Sequence, residues 1–171
     1  LPITIIRPPA VYGSRDTEIY LFFKTYKQGL MGLIGLDKKQ VSIVHVEDLV
    51  NGIYLAATSQ KAIGQTYFIG SELYYNWEEI GEVCHKAFAK KAFTIKIPHF
   101  IVYTVAAIAQ FFSLFSSKAA TFNLEKAHDF VQRAWTCDVS KAVNDLGYSQ
   151  KISLEDGMKR TIDWYKEMKW L

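Results

Sequence analysis

A short apolar run near the start of the chain constrains the fold most strongly. Residues 3–6 read Ile-Thr-Ile-Ile, and Pro8 and Pro9 stop the run. A run of β-branched residues without polar alternation is typical of a strand buried on both faces of a parallel sheet. Proline ends such a strand because it has no N–H for the ladder. Parallel partners are joined by long crossovers, usually helices, so the run predicts a fold that mixes strands and helices.

Later segments of the chain alternate between strand and helix signals. Strands are predicted at residues 41–46, 66–69 and 93–97. Helices are predicted after four residues that can cap a first turn: Asp16, Asp48, Asn76 and Ser153. A shorter helix over residues 138–146 is ended by Gly147. This alternation places the chain in the α/β class.

Composition argues against two classes of function. The net charge is only +3 and the basic residues are scattered, so we predict no nucleic-acid partner. Cys84 and Cys137 are not in a Cys-x-x-Cys pair, and the four histidines show no zinc-ligand spacing, so no metal site is predicted. No targeting pattern precedes the first strand, and the thiols are interpreted as reduced, so a cytoplasmic protein is predicted.

Residues 97–117 carry no formal charge unless His99 is protonated. A helix of this length would extend about 30 Å, enough to cross a bilayer. Tyr103, Gln110 and Ser117 fall near one helical face, however, and a polar stripe is costly in lipid. The pattern therefore favours a helix that is buried in the protein or lines an apolar pocket, with membrane contact as the alternative.

Two patterns resemble catalytic motifs but have structural explanations. Gly29, Gly32 and Gly35 match the spacing of a pyrophosphate-binding turn, which needs a strand before it and a helix after it. Here a predicted helix precedes the glycines, and a charged turn and a strand follow, so we predict a helix stop and an irregular connection. Tyr-x-x-x-Lys occurs at residues 20–24 and 165–169, each time on a helix whose apolar face already accounts for the tyrosine.

Four blocks of sequence carry a family resemblance. They are Arg-Pro-Pro-Ala-Val-Tyr-Gly at 7–13, His-Val-Glu-Asp-Leu-Val at 45–50, the Arg133-to-Tyr148 block with Asp-Val-Ser-Lys-Ala at 138–142, and the segment 153–165. Together and in this order they resemble the extended short-chain dehydrogenases, or NAD-dependent epimerase/dehydratase family. The 3β-hydroxysteroid dehydrogenase and dihydroflavonol reductase branches look nearest.

The resemblance implies the C-terminal part of a Rossmann-type enzyme, with the last sheet strands and a small α/β substrate lobe. Residues 1–14 and about 48–70 would complete the Rossmann sheet, and about 15–47 and 71–171 would form the lobe and C-terminal helices. No catalytic residue is assigned, because the family's catalytic residues and cofactor glycines are expected upstream of Leu1. This chain alone is therefore predicted to lack dehydrogenase activity and to bind nicotinamide cofactors only weakly.

The resemblance also implies roles for residues that are present. Pro8, Pro9, Ala10 and Val11 would lie beside the nicotinamide of NAD or NADP, although two prolines would also make a rigid strand exit. Four residues are candidates for substrate binding: Tyr12, Arg15, His45 and Arg133. Arg133 could hold a diphosphate by bidentate bonding, or it could be a surface or structural arginine.

Three functions stay open at this point. The first is the substrate-binding portion of an NAD(P)-dependent oxidoreductase or epimerase that acts on a hydroxyl or ketone carbon. For this function Phe111, Phe112 and Phe115 suggest a small apolar, sterol-like substrate. The second function is the corresponding portion of a nucleotide-sugar epimerase or dehydratase, which Arg133 would suit. The third is a non-catalytic binding module, whose sheet edge should then be covered. The family resemblance also allows a homodimer.

Overall fold

A computed structural model describes residues 1–113 and 123–171. Phe115 and Ser117, and with them the end of the uncharged segment, lie outside the described residues. The strands are β1 (Ile5–Arg7), β2 (Ala10–Tyr12), β3 (Leu30–Ile34), β4 (Gln40–Val41), β5 (Ile43–His45), β6 (Thr66–Phe68), β7 (Tyr75–Asn76), β8 (Phe93–Ile97) and β9 (Ala134–Trp135). The helices are α1 (Glu18–Lys27), α2 (Val46–Thr58), α3 (Trp77–Phe88), α4 (His99–Ser113), α5 (Leu124–Val131), α6 (Ser140–Leu146) and α7 (Leu154–Glu167).

Three of the predicted helix starts are confirmed by their side-chain hydrogen bonds. The Asp16 carboxylate accepts from the backbone amides of Glu18 (2.9 Å) and Ile19 (3.0 Å) at the start of α1. Asn76 and Glu79 form the reciprocal capping box of α3. The Ser153 hydroxyl accepts from the Asp156 amide at the start of α7. These caps are local in sequence, and each satisfies an amide that has no partner within its helix.

The predicted start of α2 is wrong. Asp48 lies inside the helix, and the residue that caps it is His45, whose Nδ1 accepts from the Glu47 amide at 3.3 Å. The Asp48 side chain is buried and accepts two backbone amides from the segment before α7, those of Lys151 and Ile152, each at 3.0 Å. Asp48 therefore ties α2 to a segment more than 100 residues away.

Pairing of the strands brings distant parts of the chain together. β1 pairs with β6, β2 with β5 and β3 with β8, all in parallel. β4 lies between β7, to which it is antiparallel, and β9, to which it is parallel. Each parallel pair is joined through at least one helix, as parallel pairing requires. The α/β class predicted from the sequence is confirmed.

Two larger groups of buried residues hold this arrangement. The first packs α1, α3 and α7 against β3 and β4 and includes Phe23, Ile80 and Ile162. The second packs α2 and α6 against β6 and includes Tyr67 and Tyr148. A small third group joins the inner side of α4 to Ala127 of α5.

The glycine series is not a phosphate-binding turn. Gly29 ends α1 with a φ of 97°, as predicted, but the residues after it form β3, and Gly32 pairs with Ile95 of β8. The predicted irregular connection is therefore wrong. The next elements after Gly35 are the strands β4 and β5, so the amides of these glycines do not lie at the helix N-terminus that a pyrophosphate needs.

The hydroxyls of both tyrosines in the Tyr-x-x-x-Lys patterns are used structurally. The buried Tyr165 donates to the backbone oxygen of Asp16 at 2.6 Å, and Tyr20 donates to the backbone oxygen of Trp170 at 2.6 Å. Burial raises the pKa of the Tyr165 phenol well above its ordinary value. These contacts agree with the structural explanation of both patterns.

The uncharged segment forms a helix, but its described part is not a buried one. Val102 and Ala106 are buried against the third core group, whereas Phe100, Val105, Ile108 and Phe112 are each more than half exposed. The prediction of a helix enclosed by protein is therefore wrong over residues 99–113. Among residues 1–113 and 123–171, no helix combines the length and apolarity needed to cross a membrane.

Candidate functional site

The four residues predicted to meet a nicotinamide lie where β1 leaves its sheet. Pro8 and Ala10 are exposed, and Pro9 and Val11 are half-buried. Residues 10–12 then form β2, whose register sets Ala10 beside Ile43 and Val11 beside Val44. The segment therefore has its end held by strand pairing and leaves Pro8 and Ala10 exposed.

Glycine at position 70 allows a close approach behind this segment. A Cβ at Gly70 would lie 2.9 Å from Cγ of Pro9 and 3.3 Å from Sγ of Cys137. Real Cβ atoms essentially never approach another heavy atom closer than 3.0 Å, so a side chain at position 70 would move the Pro9 ring. The Cys137 amide donates to the Ser42 hydroxyl at 3.1 Å, which holds the chain after β9 in place. Burial raises the pKa of the Cys137 thiol, which favours the protonated, unreactive form.

Tyr12 and His45 are register partners on β2 and β5, and both side chains are buried. Their rings meet edge to face at 5.3 Å between centroids, and His45 also caps α2. Burial lowers the pKa of His45, so its imidazole is held neutral, with Nδ1 as the acceptor for the cap. Because Tyr12 and His45 are only 2% and 4% exposed, neither side chain presents a surface to a substrate in this structure.

Arg15 is exposed and lies in the loop between β2 and α1. Its backbone is in the left-handed region, with a φ of 69°, which costs a residue with a Cβ about 1 kcal/mol or more. The loop is closed at its two ends by a hydrogen bond from the Asp16 amide to the Gly13 oxygen. Arg15 is thus an exposed cation on a constrained loop, four residues after the predicted nicotinamide segment.

Arg133 is largely exposed and stands beside a small cluster of charges. The Asp37 carboxylate lies 3.8 Å from Nε of Arg133, 3.7 Å from Nζ of Lys39 and 3.7 Å from Nε2 of His99. Although desolvation of Asp37 opposes its ionisation, its backbone hydrogen bond and the neighbouring Lys39, His99 and Arg133 side chains together hold its pKa below the ordinary value. The Arg133 side chain is 87% exposed, so its guanidinium can still reach a ligand.

The two ends of the candidate site are linked by one short stretch of chain. The Arg133 oxygen accepts from the Gln40 amide, and Cys137 at the other end lies next to Gly70 and so next to Pro9. Four residues of extended chain span at most about 14 Å, which bounds the distance between the Cα atoms of Arg133 and Cys137.

Sequence reasoning missed several of these features. Neither the anchoring of residues 151–152 by Asp48 nor the packing of Pro9 on Gly70 has a local signal, because the partners are far apart in the chain. The Asp37 cluster had a partial signal in the adjacent lysines at 38 and 39. Within the described ranges, no three His, Cys, Asp or Glu side chains come together as a metal site.

Two relatives and one solved structure match this chain over nearly its whole length. The chain is 32% identical to the uncharacterized protein y4nL of Sinorhizobium fredii, covering 96% of this chain and 47% of that protein. It is 29% identical to the ceramide reductase of Caulobacter vibrioides, covering 98% and 52%. The structure of UDP-glucuronic acid 4-epimerase from Bacillus cereus, in complex with UDP-glucuronic acid and NAD, superposes with a TM-score of 0.71 at 21% identity, covering 98% and 46%. The chain matches no family model.

The relatives and structural neighbours are members of the extended short-chain dehydrogenase, or NAD-dependent epimerase/dehydratase, family, and this chain is similar to them over nearly its whole length. Its fold is that of the C-terminal half of Rossmann-type epimerase and dehydratase structures, as the four sequence blocks predicted. The chain spans about half the length of the curated relatives that it matches.

Proposed function

We propose that this chain is the substrate-binding C-terminal portion of an NAD(P)-dependent oxidoreductase or epimerase. Its substrate would be a small molecule with a hydroxyl or ketone carbon, and the cofactor would supply or accept a hydride at that carbon. The observation that carries the proposal is the rigid β1 exit, with Pro9 seated on Gly70 and Ala10 exposed beside it. In this proposal residues 1–14 and about 48–70 complete the cofactor-binding sheet, and the remainder forms the substrate lobe.

The β1–β6 pair supports the enzyme portion over a self-contained binding module. One face of the pair packs on α2 and α6 through Ile6 and Tyr67, but the other face leaves Ile5 and Phe68 48% and 40% exposed. Parallel strands are normally covered on both faces. An independent module should cover this apolar surface, so we infer that the cofactor-binding half of the enzyme packs there.

The substrate can be of either of two kinds. The apolar segment 97–117 suggested a sterol-like substrate, and the relative named ceramide reductase fits that choice. The alternative is a nucleotide sugar, for which Arg133 would bind the diphosphate and Arg15 would add a second cation. For that alternative, Arg133 keeps its guanidinium accessible to a diphosphate, since 87% of its side chain is exposed.

Ala10→Phe tests the placement of the cofactor. Ala10 is exposed, so a phenyl group there should leave the fold intact but occupy the surface proposed for the nicotinamide. The measurement is a calorimetric titration of the protein as its gene encodes it, with NADH or NADPH, whichever the wild type binds. We expect the variant to bind this cofactor at least ~10-fold more weakly than the wild type and to have the same melting temperature. Thr94→Phe, on the exposed strand β8, is the matched control and should bind like the wild type. Equal affinity in Ala10→Phe would place the nicotinamide elsewhere.

A further inference from the structure

The apolar face of α4 is the largest feature of the chain that the proposed function leaves unexplained. Four residues spaced at i, i+4, i+7 and i+11 form one stripe: Ile101, Val105, Ile108 and Phe112 are 40%, 52%, 51% and 66% exposed. The opposite side of the helix is the one that packs, through Val102 and Ala106 against Ala127 of α5. This stripe is therefore the outer side of a helix whose inner side already has its partner.

The exposed apolar surface extends from α4 onto the β3–β8 pair. Phe93 and Ile95 of β8 are 72% and 44% exposed, and Leu30, the register partner of Phe93, is 47% exposed. Side chains two residues apart share a face of a strand, so Ile97 follows Phe93 and Ile95 on the same face. Ile97 packs with Val102 in the third core group, which joins the strand surface to α4.

The distribution of charge identifies the kind of partner. Residues 83–124 contain five lysines and no Asp or Glu, whereas the rest of the chain has fifteen basic and seventeen acidic residues. Of these lysines, Lys90, Lys91 and Lys96 are exposed; Lys90 and Lys91 directly precede β8, whereas Lys96 lies within it on the face opposite Phe93 and Ile95. The nearest acids that follow, Glu125 and Asp129, lie on α5, the helix that packs on the inner side of α4.

We propose that the α4 stripe and the adjoining β8 surface bind the face of an anionic lipid bilayer. The apolar side chains would enter the boundary between headgroups and acyl chains, and the flanking lysines would meet lipid phosphates. The described part of the helix has 15 residues and is about 22 Å long, and its inner side packs on α5, so the proposal places it along the interface. The proposal does not depend on the proposed enzyme function.

Cosedimentation with vesicles tests this surface, using the protein as its gene encodes it. The wild type should bind vesicles of phosphatidylcholine mixed with phosphatidylglycerol, and should bind pure phosphatidylcholine more weakly. Val105→Asp/Ile108→Asp should reduce partition into the mixed vesicles ~10-fold or more, because two apolar side chains that would enter the bilayer interface are replaced by charged ones. Leu21→Asp/Leu73→Asp, which adds the same charge at exposed apolar positions elsewhere, should bind like the wild type.

A second variant keeps the test independent of folding. Lys91→Gln changes only an exposed cation next to the proposed surface, and should reduce the additional binding that phosphatidylglycerol confers. Absence of vesicle binding by the wild type would overturn the proposal, as would equal binding by all variants. A third result would also overturn it: the wild type forms a dimer but does not bind vesicles, and Val105→Asp/Ile108→Asp dissociates that dimer. The stripe would then contact a second copy of the chain.

Discussion

Replacing Asp48 by alanine is expected to lower the free energy of unfolding by about 2–4 kcal/mol. The carboxylate is only 2% exposed and accepts from the amides of Lys151 and Ile152 at 3.0 Å each. Truncation leaves both amides without these acceptors in a site that water barely reaches, and also removes the link between α2 and the start of α7. Urea denaturation followed by circular dichroism measures the change.

Glu47→Ala is the matched control, one residue away on the same helix. Glu47 is exposed, and its pair with Arg160, at 3.3 Å, lies in water. Such a pair contributes at most about 1 kcal/mol, so this variant should unfold close to the wild type. Equal losses in the two variants would mean that Asp48 stabilises the chain only through its position near the N-terminus of α2.

Gly52→Ala is expected to lower the free energy of unfolding by about 1–2 kcal/mol, although alanine favours helix more than glycine does. Gly52 lies in α2, where an added Cβ would overlap Cγ2 of Ile69. Ile69 is fully buried and β-branched, so its side chain has little freedom to move away. Thermal or urea unfolding gives the difference.

Gly81→Ala in α3 provides the comparison, because the substitution and its helix preference are the same. A Cβ at Gly81 would come within 2.7 Å of Cε and Sδ of Met31, which form the end of a flexible side chain. The methionine can turn aside at small cost, so this variant should stay within about 1 kcal/mol of the wild type. A loss in Gly81→Ala as large as that in Gly52→Ala would show that neighbour flexibility does not decide the outcome.

The parts of the fold that sequence predicts best are those determined by neighbouring residues. The caps at Asp16, Asn76 and Ser153 act over two or three residues, so their side-chain types are enough to place three helix starts. Asp48 has the same residue type at a plausible position, but its partners are at 151 and 152. The sequence cannot show such a partner, and a local interpretation therefore assigned it the wrong helix role.

The strand β3 and the exposure of α4 could not be predicted for a related reason. Gly32 weakens the strand signal at residues 30–34, and β3 forms because it pairs with β8, about sixty residues further on. An uncharged helix reads as buried, yet only tertiary packing decides which of its faces have a partner. For the candidate site, Pro8 to Val11 and Arg133 stay predictions from the family resemblance, whereas the burial of Tyr12 and His45 follows from the β2–β5 register, which no local pattern shows.

The most direct test of the account is a magnetisation-transfer measurement between the nicotinamide ring and Val11. The protein as its gene encodes it would carry labelled valine methyl groups and be saturated with NAD or NADP. We predict nuclear Overhauser contacts from the nicotinamide protons to the Val11 methyls, and none to the Val50 methyls on the outer side of α2. A saturated complex whose nicotinamide contacts other methyls but not those of Val11 would contradict the placement of the cofactor beside the β1 exit.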